Sequence, residues 1–150
     1  LAGLVHDLGV MVEMQYDRES LVEVLNRVDP QGTGIPESDF LEAEDSVFGA
    51  NHQDFGRGLC KKWKFPESFQ YAAGFHHDPM SAPEEFQRLA CLVSIADRVS
   101  ARVDGAFRLD LMDFTLDEAA LEVLGLTVET VEELIPRIED AAANLNASIS

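Results

Sequence analysis

Apolar residues recur along this chain at the three- and four-residue spacing of amphipathic helices. The first stripe consists of Leu1, Leu4, Leu8 and Met11. Further stripes predict helices at about residues 18–28, 37–48, 51–64, 66–77, 84–103, 115–124 and 127–146. No segment shows the sustained alternation that predicts a half-buried strand. We therefore expect an all-α helical bundle without a significant sheet.

Turn residues separate the predicted helices. Residues 29–36 are dense in Pro and Gly and predict a loop. Pro79 ends the helix that precedes it, because proline cannot continue a helix. Thr115 and Thr127 are predicted N-caps, and Gly125 is a predicted C-terminal stop.

Polar residues interrupt several of the apolar stripes. The most regular stripe is His52, Phe55, Gly56, Leu59, Cys60 and Trp63. The next two are Phe69, Ala72, Ala73 and His76, and then Phe86, Leu89, Ala90, Val93, Ala96, Asp97 and Ser100. Asp7 likewise lies between Leu4 and Met11 on its own helix face. A buried imidazole or carboxylate is costly unless it is paired or ligated.

The length of 150 residues and the apolar fraction of 46% suit a single folded domain over residues 1–150. No run approaches the roughly 20 apolar residues that a membrane helix needs. The chain begins inside an apolar stripe and lacks the basic segment of a signal peptide. We expect it to be a piece of a longer protein, with further N-terminal helices before Leu1.

The formal net charge of −17 argues against nucleic acid and membrane surfaces as partners, because phosphates and anionic lipids are repelled. It leaves room for a small phosphorylated ligand, since a bound metal can reverse the local field. The acidic residues between Asp110 and Asp140, where Arg137 is the single basic residue, are interpreted as a solvated helical face. A docking surface is the alternative.

Two cysteines, Cys60 and Cys91, occupy apolar positions of predicted helices. Their number and spacing favour neither a disulfide framework nor a zinc knuckle. We interpret them as reduced core residues, which is typical of a cytoplasmic protein.

Asp7, His52, His76 and Asp97 come from four different predicted helices. They satisfy one another if they converge in space, and a divalent metal is the usual centre of such a set. We therefore expect one buried site of imidazoles and carboxylates.

Each residue also has a simpler interpretation, since a lone histidine on an apolar face is more often a hydrogen-bonded core group. Asp97 can pair with a neighbouring arginine, Arg98 or Arg102. His77 can be a surface neighbour of the histidine before it, and His6 an exposed partner of the aspartate after it.

The run Leu4-Val5-His6-Asp7-Leu8-Gly9 resembles the signature doublet of the HD superfamily of metal-dependent phosphohydrolases. The order of a doublet, a later His, a His-His pair and a later Asp is similar to the binuclear HD-GYP branch. The surrounding sequence resembles the HDOD domain (HD-related output domain) of bacterial signalling proteins more strongly. The segments that carry this resemblance are residues 48–56, 63–66, 75–79, 92–100 and 124–127, within a similarity that covers roughly residues 1–140.

The resemblance implies an HD-domain helical bundle with a binuclear metal site. By that resemblance His6, Asp7 and Asp97 would ligate a first divalent metal, and Asp7 would bridge to a second. His52, His76 and His77 would complete the second position. Iron, manganese, zinc and nickel are the candidate ions, and a family His or Glu upstream of the doublet has no counterpart in this sequence.

Two departures argue against the usual HD-GYP reaction, the cleavage of cyclic di-GMP. The family's Lys after the doublet's Gly is Val10, and nothing in residues 78–83 resembles the Gly-Tyr-Pro motif. HDOD domains commonly lose ligands and are thought to act as regulatory or interaction modules.

Two functions follow as hypotheses. The first is a bacterial signalling domain that retains a metal site and acts on another signalling protein or domain. The second is a metal-dependent phosphohydrolase, a phosphodiesterase or phosphatase, with Asp7, His76 and His77 as its catalytic residues. Asp7 would then orient a water, and one of the two histidines would protonate the leaving oxygen if it were not a ligand.

Overall fold

The computed structural model describes residues 1–102 and 109–149, and all regular structure in these ranges is helical. The predicted all-α fold class is confirmed. The α-helices are α1 (Ala2–Val5), α2 (Leu8–Tyr16), α3 (Arg18–Val28), α4 (Phe40–Phe48), α5 (His52–Lys62), α6 (Glu67–Phe75), α7 (Glu84–Ser100), α8 (Glu118–Leu124), α9 (Val128–Glu132) and α10 (Ile135–Ile149). A short 3-10 turn, Pro79–Ser81, lies between α6 and α7.

Side-chain caps begin many of these helices where the sequence changes from loop to stripe. Asp39 caps α4, Asn51 caps α5 and Asp117 caps α8, each by accepting a hydrogen bond from a backbone N–H of the first turn. Thr127 caps α9 as predicted, and Gly125 ends α8 in the left-handed conformation, also as predicted.

Helix α5 packs between α2 and α6, and α7 packs between α6 and α8. Apolar clusters surround this arrangement. One joins α7 to α8 and α9 through Ile95, Leu121 and Val131, and another joins α3 to α4 through Val24 and Phe40. The polar residues of the site lie where α2, α5, α6 and α7 meet.

The first predicted helix is broken at His6 and Asp7. Asp7 has φ −96° and ψ 17°, outside the helical region, so α1 ends before the doublet and α2 begins after it. Gly9 then turns toward α5, where a Cβ would lie 1.8 Å from the carbonyl oxygen of His52. This close approach buries the glycine face of α2, and the predicted stripe of Leu1, Leu4 and Met11 is exposed instead.

The predicted inner face of α7 is buried at Ala90 and Val93, but beyond Val93 the buried apolar residues are shifted by one position. Ile95 and Val99 are buried, whereas Ala96 and Ser100 are exposed. Trp63 was expected on the apolar stripe of α5, but the helix ends at Lys62 and its indole is 57% exposed. In both places the pattern predicts a helix correctly. It misplaces the end of α5 and some of the buried residues of α7.

The end of the chain also departs from the predicted pattern. Asp117, rather than Thr115, caps α8. The helix expected over residues 127–146 is divided into α9 and α10, because Pro136 in the first turn of α10 has no N–H to continue the α9 hydrogen bonds. The predicted end of the long helix at Val103 lies outside the described residues.

Within the described ranges, no helix has both the length and the hydropathy to cross a membrane.

Candidate metal centre

Four imidazole rings converge inside the bundle. His6 lies between α1 and α2, His52 begins α5, and His76 and His77 directly follow α6. The Nε2 atom of His52 is 3.3 Å from Nε2 of His76 and 3.1 Å from Nε2 of His77. The ring of His6 meets that of His76 edge to face, with centroids 4.8 Å apart. His52 and His76 are completely buried, so the predicted convergence of these histidines is present in the structure.

Three of these rings are held in one tautomer by their Nδ1 atoms. Nδ1 of His6 donates to the carbonyl oxygen of Gly3 at 2.7 Å, and Nδ1 of His76 donates to that of Ala73 at 2.9 Å. Nδ1 of His52 donates to the carboxylate of Glu44 at 2.8 Å. Because these oxygens accept, each Nδ1 carries a hydrogen and Nε2 faces the centre. In the neutral rings of His52 and His76 this Nε2 has a free lone pair. Ring nitrogens of metal-binding histidines are commonly oriented in this way.

His77 is the fourth imidazole, and it is not the surface neighbour that was considered as an alternative. Its side chain is only 9% exposed. The side-chain oxygen of Gln53 accepts the backbone N–H of His77 at 3.1 Å, which ties the residue after α6 to the first turn of α5.

Asp7 lies between two groups of side chains. Its Oδ1 is 3.3 Å from Nε2 of His76 and 3.8 Å from Nε2 of His52. Its Oδ2 is 3.1 Å from Nε2 of His6. On the far side of His6, Oδ1 of Asp97 is 3.4 Å from the same Nε2. Neither Arg98 nor Arg102 forms an ion pair with Asp97 in the described part of the chain, so the local-pairing alternative does not hold.

Several of the converging atoms are buried without a hydrogen-bond partner. They are Nε2 of His6, Oδ1 of Asp7, Oδ2 of Asp97 and Oδ2 of Asp110. Buried polar atoms are nearly always satisfied, because leaving one unpaired costs about 1–3 kcal/mol. Nitrogen and oxygen donors in this number and density fit a divalent metal. The atoms of three triplets each lie within 4.8 Å of one another: His52, His76 and His77; His6, Asp7 and His76; and Asp7, Asp97 and Asp110.

The electrostatics favour neutral imidazoles on one side of the site. Burial lowers the pKa of His52 and of His76. Burial, together with the neighbouring charges of His76 and His52, lowers the pKa of His77 to about 2. Neutral imidazoles bind metal without first losing a proton, so these three are ready ligands.

His6 and Asp7 form an ion pair on the other side. Burial alone would lower the pKa of His6, but its contacts with Asp7 and Asp97 outweigh burial and raise that pKa to about 10. Burial would raise the pKa of Asp7, yet its close contacts with His6 and His76 hold that pKa well below its usual range. Asp7 is therefore an anion throughout the neutral pH range.

Two carboxyl groups that the sequence interpretation missed lie behind His52. Glu13 of α2 and Glu44 of α4 are completely buried. One carboxylate oxygen of Glu44 accepts both the backbone N–H of His52, at 3.0 Å, and its Nδ1–H. Burial raises the pKa of both glutamates to about 8. Their positions gave a signal, since Glu13 is four residues after Gly9 and Glu44 four residues after Phe40, on the inner faces of their helices.

Asp110 is a third missed residue, and it corrects the interpretation of the acidic stretch as a solvated face. Only 7% of Asp110 is exposed, and its Oδ2 is 3.7 Å from Nε2 of His77. Burial, followed by the negative charges of Asp97 and Asp7, raises the pKa of Asp110 to about 7. The signal in the sequence was its place between two apolar residues, Leu109 and Leu111.

A cavity of about 180 Å³ opens beside the site, with His77, Asp110 and Arg98 on its wall. Arg98 donates to Oγ of Ser94 at 2.8 Å and forms no ion pair among the described residues. Arg102 is engaged elsewhere, since it pairs with Glu132 at 2.6 Å. Arg98 is therefore the cation of this cavity.

Comparisons with known proteins agree with this architecture. The sequence profile described as the HDOD domain matches residues 1–79. An uncharacterized protein of Treponema pallidum (strain Nichols) is 30% identical over 105 residues, which is 70% of this chain and 20% of the relative. The chain thus spans about a fifth of the length of that curated relative. No solved structure matches the chain. Because the profile covers more than half of its residues, the chain belongs to the HDOD domain family, a group of signalling domains related to the HD superfamily.

Proposed function

We propose that this HDOD domain binds one or two divalent metal ions and uses the metal site in signalling. The ligands of the proposal are His6, Asp7, His52, His76, His77 and Asp97. The observation that carries it is the convergence of these side chains with unpartnered atoms among them, buried where water cannot satisfy them.

Two positions share the ligands. His6, Asp7 and Asp97 form the first, and the three imidazoles of His52, His76 and His77 form the second. Asp7 lies between them with one oxygen toward each, which supports a bridging role. Imidazole and carboxylate together suit iron, manganese, zinc or nickel.

The surroundings of the ligands support a preformed site. Glu44 fixes the ring of His52. The backbone carbonyl of Gly3 fixes the ring of His6, and that of Ala73 fixes the ring of His76. Such contacts remove the entropy of orienting the ligands at the moment of binding.

A signalling role is supported by where the ligands come from. The site joins the α1–α2 junction to α5, to the end of α6 and to α7, so a bound metal links helices that are distant in sequence. Any ligand that binds only the folded arrangement stabilises it. We propose that the metal-bound arrangement of these helices is what another signalling protein or domain recognises.

The phosphohydrolase is the second candidate, and the cavity beside the site favours it. Its volume of about 180 Å³ admits a small phosphorylated group. Arg98 supplies a guanidinium for the phosphate oxygens, while Asp39, Asp110 and Asp113 on the same wall leave a bound metal to offset their repulsion. A bound divalent metal supplies charge neutralisation to a phosphate and lowers the pKa of a water. Asp7 would orient that water. The lowered pKa values of His76 and His77 make both better ligands than proton donors at neutral pH, which weakens the catalytic role given to them above.

A matched pair of variants tests the metal proposal. Asp7→Ala removes the central carboxylate, whereas Asp54→Ala removes an exposed one from the first turn of α5. We expect added manganese or zinc to raise the thermal midpoint of the Asp54→Ala variant as it does that of the unchanged protein, and to leave the Asp7→Ala variant unaffected. Equal metal-induced shifts in both variants would refute the role of Asp7.

The two functions are separated by activity. The metal-loaded protein is assayed with p-nitrophenyl phosphate and bis(p-nitrophenyl) phosphate. Metal-dependent turnover that is lost in Arg98→Gln supports the hydrolase. Metal binding without turnover supports the signalling domain.

A further inference from the structure

We propose that Asp110 is a further metal ligand, and that with Asp7 and Asp97 it forms a carboxylate-rich position selective for a hard cation such as manganese or magnesium. The inference rests on the proposed metal site and deepens it, since it assigns different metal preferences to the two positions.

The burial of Asp110 is the first support. Only 7% of the residue is exposed, so it is more than nine-tenths buried. Its Oδ2 has no hydrogen-bond partner in the described part of the chain. A carboxylate oxygen in this setting needs a donor or a cation. The neighbour at 3.7 Å is Nε2 of His77, which is too far away for a hydrogen bond.

The second support is the geometry of the three carboxylates. Oxygen atoms of Asp7, Asp97 and Asp110 lie within 4.8 Å of one another, although they come from the α1–α2 junction, from α7 and from the segment after α7. Like charges at this separation repel. His6 contacts Asp7 and Asp97 but not Asp110, and no arginine or lysine pairs with the three carboxylates among the described residues. A divalent cation between them would replace that repulsion with attraction.

The chemistry of the two triplets differs. One offers three carboxylates, and the other offers the imidazoles of His52, His76 and His77. Oxygen ligands suit magnesium and manganese, whereas imidazole suits zinc, iron and nickel. The site is therefore asymmetric, with a hard position facing Asp110 and a softer position facing His52.

The test measures the two positions separately. Metal-free protein is given zinc and manganese together, bound zinc is counted by elemental mass spectrometry, and free manganese is counted from its electron paramagnetic resonance signal. We expect the unchanged protein to hold both ions. Asp110→Asn should weaken manganese binding by at least about tenfold and leave bound zinc unchanged.

Two further variants serve as controls. Asp113→Asn removes the same charge from the same segment, keeps the oxygen that accepts the Thr115 N–H, and should bind both metals as before. His52→Gln should show the reverse pattern and lose zinc first. Circular dichroism without metal checks that each variant is folded, and Asp110→Ser replaces Asp110→Asn if the latter is not.

The outcomes separate this inference from the proposal beneath it. If the unchanged protein binds neither ion, the metal proposal itself fails. If it binds both and Asp110→Asn binds both equally well, only the role of Asp110 is overturned. If Asp110→Asn loses zinc and manganese together, the two positions are not independent and the selectivity is overturned.

Discussion

At the scale of single residues, the site depends on side chains that are far more buried than their chemistry normally allows. Glu13, Glu44, His52 and His76 are all completely buried. Hydrogen bonds satisfy one oxygen of Glu44 and the Nδ1 atoms of His52 and His76, whereas both oxygens of Glu13 are buried without a hydrogen-bond partner. Glu44 is central here, since it accepts two hydrogen bonds from His52 and thereby fixes that ring.

Replacing Glu44 should weaken the metal site without removing a ligand. In Glu44→Gln one carboxyl oxygen becomes an amide NH2, which cannot accept a hydrogen bond. The pair of hydrogen bonds from the backbone N–H and Nδ1–H of His52 is then held less firmly, and the lone pair on Nε2 is less firmly directed to the centre. We expect metal affinity to fall by roughly 10- to 100-fold. Isothermal titration of metal into the metal-free protein measures this.

The control for this prediction is Glu42→Gln, an exposed change in the same helix. It should leave the affinity unchanged. Loss of affinity in both variants, or in neither, would contradict a specific role for Glu44.

The three missed carboxylates show what sequence reasoning can and cannot reach at this scale. His6, Asp7, His52, His76, His77 and Asp97 were predicted because polar residues on an apolar stripe and an ordered motif are both visible in the sequence. Glu13, Glu44 and Asp110 were not predicted, since in so acidic a chain an acidic residue is by default assigned to the surface.

At the scale of elements, the close contact of α2 with α5 sets the position of the doublet. Gly9 lies against the backbone of His52. A Cβ built on Gly56 of α5 would lie 3.4 Å from the backbone nitrogen of Gly9. Two glycines facing each other allow the helix backbones to approach closely. The approach brings Asp7, the residue directly before α2, into reach of His52 and His76.

Gly9→Ala should separate these helices. Its Cβ would meet the carbonyl of His52 at 1.8 Å, and a backbone atom cannot move aside without shifting α5. We expect a loss of stability of about 1–3 kcal/mol. We also expect a loss of metal affinity, because Asp7 before α2 and His52 at the start of α5 would move apart. Urea unfolding and metal titration measure the two effects.

Gly58→Ala is the matched control in the neighbouring helix. No atom lies within 4 Å of a Cβ at Gly58, so the change should stabilise α5 by about 0.5–1 kcal/mol. If Gly9→Ala behaved like Gly58→Ala, the close approach of α2 to α5 would be refuted.

The helices themselves were largely predictable, whereas the break at the doublet was not. Helix α3 spans the predicted residues, and α5 and α6 begin within one residue of the predicted starts, since the caps and prolines that fix them are local signals. The break between α1 and α2 follows from packing of Gly9 against another helix, which periodicity does not report. The exposed stripe of Leu1, Leu4 and Met11 is the direct consequence.

At the scale of the whole molecule, the buried titratable groups link stability to pH. In metal-free protein the pKa of His6 is raised from 6.5 to about 10, so its stabilisation is complete below pH 6.5 and is lost as the pH rises through about 10. The pKa values of Glu13 and Glu44 are raised from 4.5 to about 8. Through these two glutamates the folded state binds more protons than the unfolded state, so their contribution to stability falls as the pH rises from 4.5 through about 8.

Both effects have the same sign above pH 6.5. We expect the free energy of unfolding, measured by urea denaturation in the presence of a chelator, to decrease steadily from pH 6.5 to about 9. Metal should reverse the trend, because protons compete with the ion for its ligands and binding strengthens as the pH rises. A flat or rising profile in chelator would contradict the assigned shifts.

The central claim is that the converging side chains hold metal in the protein as it is purified from cells. Elemental mass spectrometry of the purified protein, with neither metal nor chelator added, tests this most directly. We predict about one to two equivalents of iron, manganese, zinc or nickel. Less than about a tenth of an equivalent, with no uptake of added metal, would contradict the account and make the site a buried polar network.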